Sequence, residues 1–312
     1  MTSAFQQALE AGDLDALRAC PKADLHNHAV GGGNREFLAA WAGRDIPVLD
    51  RTLHSMAQMH DWAGTHHGFL HATPAGRLKC IEASFVQARL DGVTRVELGD
   101  DVWSSTLFDN SALRVTEQLK HIHAVAAPDV EWIPLLGISR HCSIRAIGGW
   151  MEPYLELGVY RALDLSGDEL VQPIENFKPV YRRAKQAGLR LKAHAGEWTG
   201  ADAVWRAVEE LELDEVQHGI SAATSPAVMR LLRDNGIRLN ICPTSNVMLG
   251  RVESLDKHPI RVLFDAGVRV TVNTDDCLIF GSSVSEEFLK LYRCGLFTAA
   301  ELDRIRQNGL TD

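Results

Sequence analysis

After residue 85 the chain alternates short runs of β-branched and aliphatic residues with longer stretches of helical periodicity. Seven of the short runs predict strands: Val93–Leu98, Glu131–Ser139, Tyr160–Leu165, Leu189–His194, Glu215–Gly219, Ile237–Cys242 and Val268–Asn273. An eighth, Ala23–His28, lies near the start. The stretches between them read as helices. In residues 200–213, for example, Ala203, Val204, Ala207, Val208 and Leu211 recur at spacings that share one helical face. Gly92, Gly188, Gly236 and Gly267 each stand just before a strand as turn signals. Ser3 and Asp13 read as N-caps of two short helices separated by Gly12.

Strand–helix alternation implies parallel strands joined by right-handed crossovers. Eight such units predict an α/β fold, a single (β/α)8 TIM-type barrel, for which roughly 250 residues normally suffice. The alternative, a doubly wound open sheet, lacks its glycine fingerprint: neither G-x-G-x-x-G nor a P-loop occurs. No repeat, low-complexity segment or linker divides the chain, so residues 1–312 are expected to form one domain. Residues 29–84 stand outside the alternation and predict a helical lid insertion after strand one. They carry Gly31-Gly-Gly33 and five histidines, His54, His60, His66, His67 and His71, at spacings that match no usual zinc pattern. These are expected to be surface or lid side chains, with contact to substrate by one of them as the alternative.

Charge narrows the partners. A net charge of −9 argues against nucleic acid and against an anionic membrane surface, and favours a small neutral or cationic substrate. No apolar run approaches the roughly 20 residues of a membrane span. The first ten residues have neither the basic nor the apolar region of a signal peptide. Six scattered cysteines without a C-x-x-C pair suggest reduced thiols, and a cytoplasmic location is expected.

The ends of the predicted strands carry the candidate chemistry, as barrel enzymes place theirs there. Strand one ends His26-Asn-His28, strand four Asp164-Leu-Ser-Gly-Asp-Glu169, strand five His194-Ala-Gly-Glu197, strand six His218-Gly219 and strand eight Asn273-Thr-Asp-Asp276. Histidines two apart on a strand point to one side, so His26 and His28 can reach one ion. His194 and one of the strand-eight aspartates complete a mixed nitrogen and oxygen set suited to zinc. Taken singly, each piece also has a structural reading: a chance pair, a helix cap, a satisfied core histidine.

Six segments, in this order, resemble the adenosine deaminase family of metal-dependent amidohydrolases. They are Pro21-Lys-Ala-Asp-Leu-His-Asn-His28, Leu165-Ser-Gly-Asp-Glu169, His194-Ala-Gly-Glu197, Val216-Gln-His-Gly219, Cys242-Pro-Thr-Ser-Asn246 and Asn273-Thr-Asp-Asp-Cys-Leu-Ile-Phe280. The resemblance implies hydrolytic deamination of a 6-aminopurine, with one zinc ion held by His26, His28, His194 and Asp275. It implies that Glu197 protonates purine N1, and that His218 orients the attacking water or takes its proton. Asp276 would assist and contact N7, and the Gly167 backbone would contact N3. The lysine that bridges two metals in binuclear relatives is missing from strand four, so one metal is expected. Lys192, two residues before His194, is expected to be a buried ion-pair residue. The family's usual aspartate for the ribose 5′-hydroxyl is replaced by Val30, and strand two ends in Gly99-Asp-Asp101 without the family's arginine. Two other readings remain at this point: another mononuclear zinc hydrolase, acting on an N6-substituted purine or a cyclic amide, and a catalytically silent binding protein.

Overall fold

The computed structural model describes residues 2–311. Eight strands form one parallel sheet in chain order: β1 (Lys22–Asp24), β2 (Val93–Asp101), β3 (Glu131–Ser139), β4 (Ala162–Ser166), β5 (Arg190–Ala195), β6 (Glu215–His218), β7 (Arg238–Ile241) and β8 (Val270–Val272). The sheet curls into a nearly closed barrel with helices outside. At the seam, β8 and β1 meet through an isolated parallel bridge between Asn27 and Asp275. There the Asp275 amide donates to the His26 carbonyl at 2.9 Å.

The two largest departures from the expected strand ends have a physical reason. β1 stops at Asp24 rather than His28, because the Leu25 amide takes the side-chain oxygen of Asn273 (2.8 Å) instead of a ladder partner. His26 and His28 therefore sit on the segment just beyond the strand. β2 continues past Leu98 to Asp101. Gly99 permits this, since a Cβ there would lie 1.7 Å from the Leu135 carbonyl of β3.

The predicted caps form: Ser3 accepts from the Gln6 amide and Asp13 from the Ala16 amide. These first helices are tied to the end of the chain through Ser3 and Gln6 on Asp303 and an edge-on contact of Phe5 with Phe288. Helix Ala201–Leu211 buries Ala201, Val204, Ala207, Val208 and Leu211, while Ala203 is only half-buried.

Between β1 and β2 lie helices Arg35–Ala42, Met56–His71 and Pro74–Leu90. The first two are additional to the barrel and have apolar clusters of their own. One gathers Leu49, Leu53, Met59 and Trp62 against Leu249, Ile279 and Phe280; the other gathers Leu38, Ile46 and Leu70 against Leu278. Amides of Leu49 and Leu53 donate to the Ile279 and Met248 carbonyls, both at 2.8 Å, which ties the segment to the loops after β8 and β7.

The barrel interior carries a buried charged layer. Lys192 pairs with Glu97 and, at 2.8 Å, with Glu215. Arg238 and Asn240 also reach Glu215, at 2.6 and 2.7 Å. Burial opposes the charge on Glu215, but Lys192 and Arg238 hold its carboxyl well below the usual range. Lys192 is thus fully engaged in ion pairs, as its position suggested. Among the described residues no helix is long and apolar enough to cross a membrane.

Candidate active site

Beyond the C-terminal ends of the strands, four ring or carboxylate groups converge. His26 Nε2 and His194 Nε2 are 3.0 Å apart. Asp275 Oδ1 lies 3.0 Å from His28 Nε2 and 3.6 Å from His26 Nε2. The far side of each buried ring fixes its proton. His26 Nδ1 faces the Asn240 carbonyl at 3.0 Å, and His194 Nδ1 faces the Leu165 carbonyl at 3.2 Å and Asp164 Oδ2 at 3.3 Å. Those partners only accept, so both Nδ1 atoms donate and a neutral ring turns its Nε2 lone pair inward. Burial pushes His26 down to about 3, so it is neutral at ordinary pH. Two inward lone pairs beside a carboxylate oxygen repel one another unless a cation lies among them. The donor set, imidazole nitrogen with carboxylate oxygen, fits a divalent metal of borderline softness. Ser245 donates to Asp275 Oδ2 at 2.6 Å, which leaves Oδ1 for the cluster. Asp275 and His218 both have φ near +60°, the left-handed region, which costs a residue with a Cβ about 1–3 kcal/mol. The surrounding hydrogen bonds hold both in that conformation.

Glu197 follows β5 on a turn that Glu169 organises. The Glu169 carboxylate accepts the amide hydrogens of Gly196 (2.8 Å), Glu197 (2.9 Å) and Trp198 (2.9 Å), and the Thr199 hydroxyl. The Glu197 carboxyl is buried, with Asn246 Nδ2 3.3 Å from Oε1 and His218 Nε2 3.6 Å from Oε2. Burial first, then the charges of Asp275 and Glu169, push it well above the usual carboxylate range. Asp276 is buried against Gly31, where a Cβ would sit 1.6 Å from its Oδ1. Burial raises Asp276 to about 7. Only glycine at 31 leaves this carboxylate its place.

A cavity of about 300 Å³ opens over these groups. Its barrel side includes His28, Val30, Gly167, His194, Glu197, His218, Asp275 and Asp276, so every site residue picked from the sequence lines the cavity except His26, which is buried within the cluster. Asp101 and Trp103 form one wall, and Met56, Met59, His60, Ala63, His67 and His71 come from the insertion. Its lining contains neither Lys nor Arg. Arg77, nearby, is taken up by Asp100 and lies over the Trp103 ring at 4.6 Å. Of the five insertion histidines, His54 and His66 border a separate surface depression, and His67 is tied to the Pro47 carbonyl at 2.7 Å. Sequence reasoning missed the roles of Glu169, Ser245, Asn246 and His258. The first three sit inside the matching segments, yet nothing in their spacing says which amide or ring they meet. His258 carries no sequence signal at all.

The comparisons with known proteins agree with this geometry. The profile of the adenosine deaminase family matches residues 146–312. A putative adenosine/adenine deaminase of Treponema pallidum is 36% identical over 285 residues, 91% of this chain and 95% of that protein. The chain belongs to the adenosine deaminase family. An adenosine deaminase of Serratia proteamaculans is 39% identical over 149 residues, spanning 48% of this chain and 45% of the relative. In three dimensions, the crystal structure of an adenine deaminase from Arthrobacter aurescens superposes with a TM-score of 0.81 at 25% identity, covering 93% and 92% of the two chains. A zinc-bound amidohydrolase from Burkholderia ambifaria shares the fold, with a TM-score of 0.77 at 22% identity over 99% and 88%. The chain is therefore a hydrolytic deaminase of aminopurines, and its convergent histidine and aspartate cluster is a candidate metal site.

Proposed function

We propose that this deaminase hydrolyses the 6-amino group of adenine, or of an adenine nucleoside lacking a 5′-hydroxyl contact, with one zinc ion held by His26, His28, His194 and Asp275. The observation that carries the reading is the Glu197 carboxyl, pushed toward its protonated form by burial and set beside Asp275 and the facing Nε2 atoms of His26 and His194. A zinc ion held at that cluster would make a bound water acidic enough to attack at neutral pH. Glu197 delivers a proton to purine N1 and makes C6 electrophilic. His218 orients the water and Asp276 assists and meets N7, while the Gly167 backbone borders N3. Domain and lid follow the same reading: residues 1–312 act as one unit, and the segment carrying helices Arg35–Ala42 and Met56–His71 covers the cavity as a lid. All six cysteines are free, in keeping with a reducing compartment.

The base or a simple nucleoside is favoured over a nucleotide, because the lining offers a phosphate neither Lys nor Arg. The name borne by the Arthrobacter protein also supports adenine as a substrate, and that of the Treponema protein allows adenine or adenosine. Val30, on the cavity wall, cannot accept a hydrogen bond. A 5′-hydroxyl desolvated there would cost about 1–3 kcal/mol, or roughly 5- to 150-fold in kcat/KM. The test compares ammonia release from adenine, adenosine, 5′-deoxyadenosine and AMP by the wild type and Val30→Asp. We expect adenine or 5′-deoxyadenosine to lead, and Val30→Asp to shift preference toward adenosine. Adenosine clearly leading in the wild type would overturn the assignment made from Val30.

A further inference from the structure

His258 and Asn246 lie below the cavity and belong to neither the metal cluster nor the set of residues assigned to substrate. The Ile260 amide opens helix Ile260–Asp265 and, like every helix-start amide, lacks an acceptor within the helix. It donates instead to His258 Nδ1, at 3.1 Å. A backbone amide can only donate, so Nδ1 holds a lone pair. His258 is fully buried, which pushes it down to about 3 and keeps it neutral. Its one ring proton is therefore on Nε2. Nε2 lies 3.3 Å from Asn246 Oδ1, and the Asn246 side chain is itself completely buried.

The other end of that amide then has two hydrogens to give, and two acceptors face it: His218 Nδ1 at 3.2 Å and Glu197 Oε1 at 3.3 Å. The reversed amide would set an N–H of Asn246 against the N–H of His258, so the direction is fixed from the Ile260 end. We propose that His258 and Asn246 are positioning residues that form a one-way hydrogen-bond relay. It locks His218 in the Nε2–H tautomer, as a donor toward the reacting water, and steadies Glu197 through the second amide hydrogen. His218 Nε2 points at this space, 3.6 Å from Glu197 Oε2 and 3.9 Å from Asp275 Oδ2. Without the relay an imidazole takes either tautomer and could act as donor or base. With it, His218 has no lone pair to offer and cannot take the water's proton. The meaning of the donor rests on the reading of the protein as a deaminase; the tautomer itself does not.

The experiment is nitrogen NMR of histidine-labelled metal-loaded protein, with a His218→Asn variant to assign the ring, alongside steady-state kinetics on the best substrate. In the wild type we expect a protonated Nε2 and an unprotonated Nδ1. Asn246→Asp replaces the donor by an acceptor at the same volume and should flip His218 to Nδ1–H. His258→Phe should lower kcat by about tenfold or more with KM little changed, the scale of one lost buried hydrogen bond. His258→Gln, which can donate to Asn246 and accept from Ile260, should restore most of it. Ammonia release by a wild type whose His218 carries its proton on Nδ1 overturns the relay and leaves the deaminase reading standing. So does a His258→Phe protein with unchanged tautomer and kcat. The Nε2–H form in a chain that deaminates no aminopurine upholds the relay and removes the reading instead.

Discussion

Glu169 is buried, and its two oxygens are wholly occupied by the amides of residues 196–198 and the Thr199 hydroxyl. It touches no substrate, yet it fixes the turn on which Glu197 stands, and after burial and Asp275 its like charge also raises the Glu197 carboxyl. Glu169→Gln turns one acceptor into a donor facing an amide or hydroxyl donor, a mismatch of about 1–3 kcal/mol. We expect kcat to fall about tenfold or more, with metal content unchanged. Loss of the metal as well would mean that Glu169 holds the whole loop rather than the acid. Glu197→Gln is the sharper change, since the amide has the carboxyl's shape but no proton to deliver. It should keep fold and metal and lose about 10²- to 10⁴-fold in turnover. A near-normal rate would remove Glu197 from the role of acid. At this scale the sequence is informative where chemistry sits in a local pattern. His26, His28, His194, Glu197 and the Asp275–Asp276 pair can be picked because they lie at or just beyond strand ends. Asn246 and His258 cannot, because their meaning is a chain of contacts that spans residues 197 to 260 in space.

Among the elements, strand β5 lies within a residue of its aliphatic run, because burial on both faces writes itself into composition. β1 does not, because its end depends on Asn273, almost 250 residues away. The insertion helix Met56–His71 has a weak apolar face, and what packs on it comes from the loops after β7 and β8. The start of β1 holds a further consequence. Lys22 is buried with Nζ 2.6 Å from the Asp91 carbonyl, and burial lowers its pKa from 10.5 to about 8 despite nearby Asp91. A lowered folded pKa means that protonation opposes folding. Below about 8 both states hold the proton and the penalty is constant; between about 8 and 10.5 only the unfolded state holds it, so stability rises with pH. Lys22→Met has no such group. The stability of the wild type relative to this variant should therefore grow between pH 8 and 10.5, by up to about 3 kcal/mol. Urea unfolding of both proteins at the two ends of the range checks this, and curves that stay parallel would show that Lys22 reaches water.

For the whole molecule, the weak place is the seam. Seven strand pairs are held by parallel ladders, one of them with a register shift at Lys22/Ala23, whereas β8 and β1 share one isolated bridge. The proposed metal ligands straddle that seam: His26 and His28 follow β1, Asp275 follows β8, and His194 on β5 joins them from the opposite wall. A metal bound there would act as the missing clasp as well as a reactant, and it would relieve the repulsion between facing lone pairs. Ligand binding to the folded state alone stabilises it by RT ln(1 + [L]/Kd), about 4 kcal/mol at a thousandfold excess over Kd. For a chain of this size that corresponds to roughly 5–10 °C in Tm. Chelation should therefore lower Tm by that order, zinc should restore it at one ion per chain, and His194→Ala should respond to neither. The loss should also be local at first. Amide exchange at Asp275 and Leu25, which close the seam on His26 and Asn273, should quicken on metal removal more than exchange at Leu136 or Leu163, inside the β3–β4 ladder. Uniform quickening along all eight strands would mean that the ion stabilises the barrel as a whole, and the seam would not be its weak point.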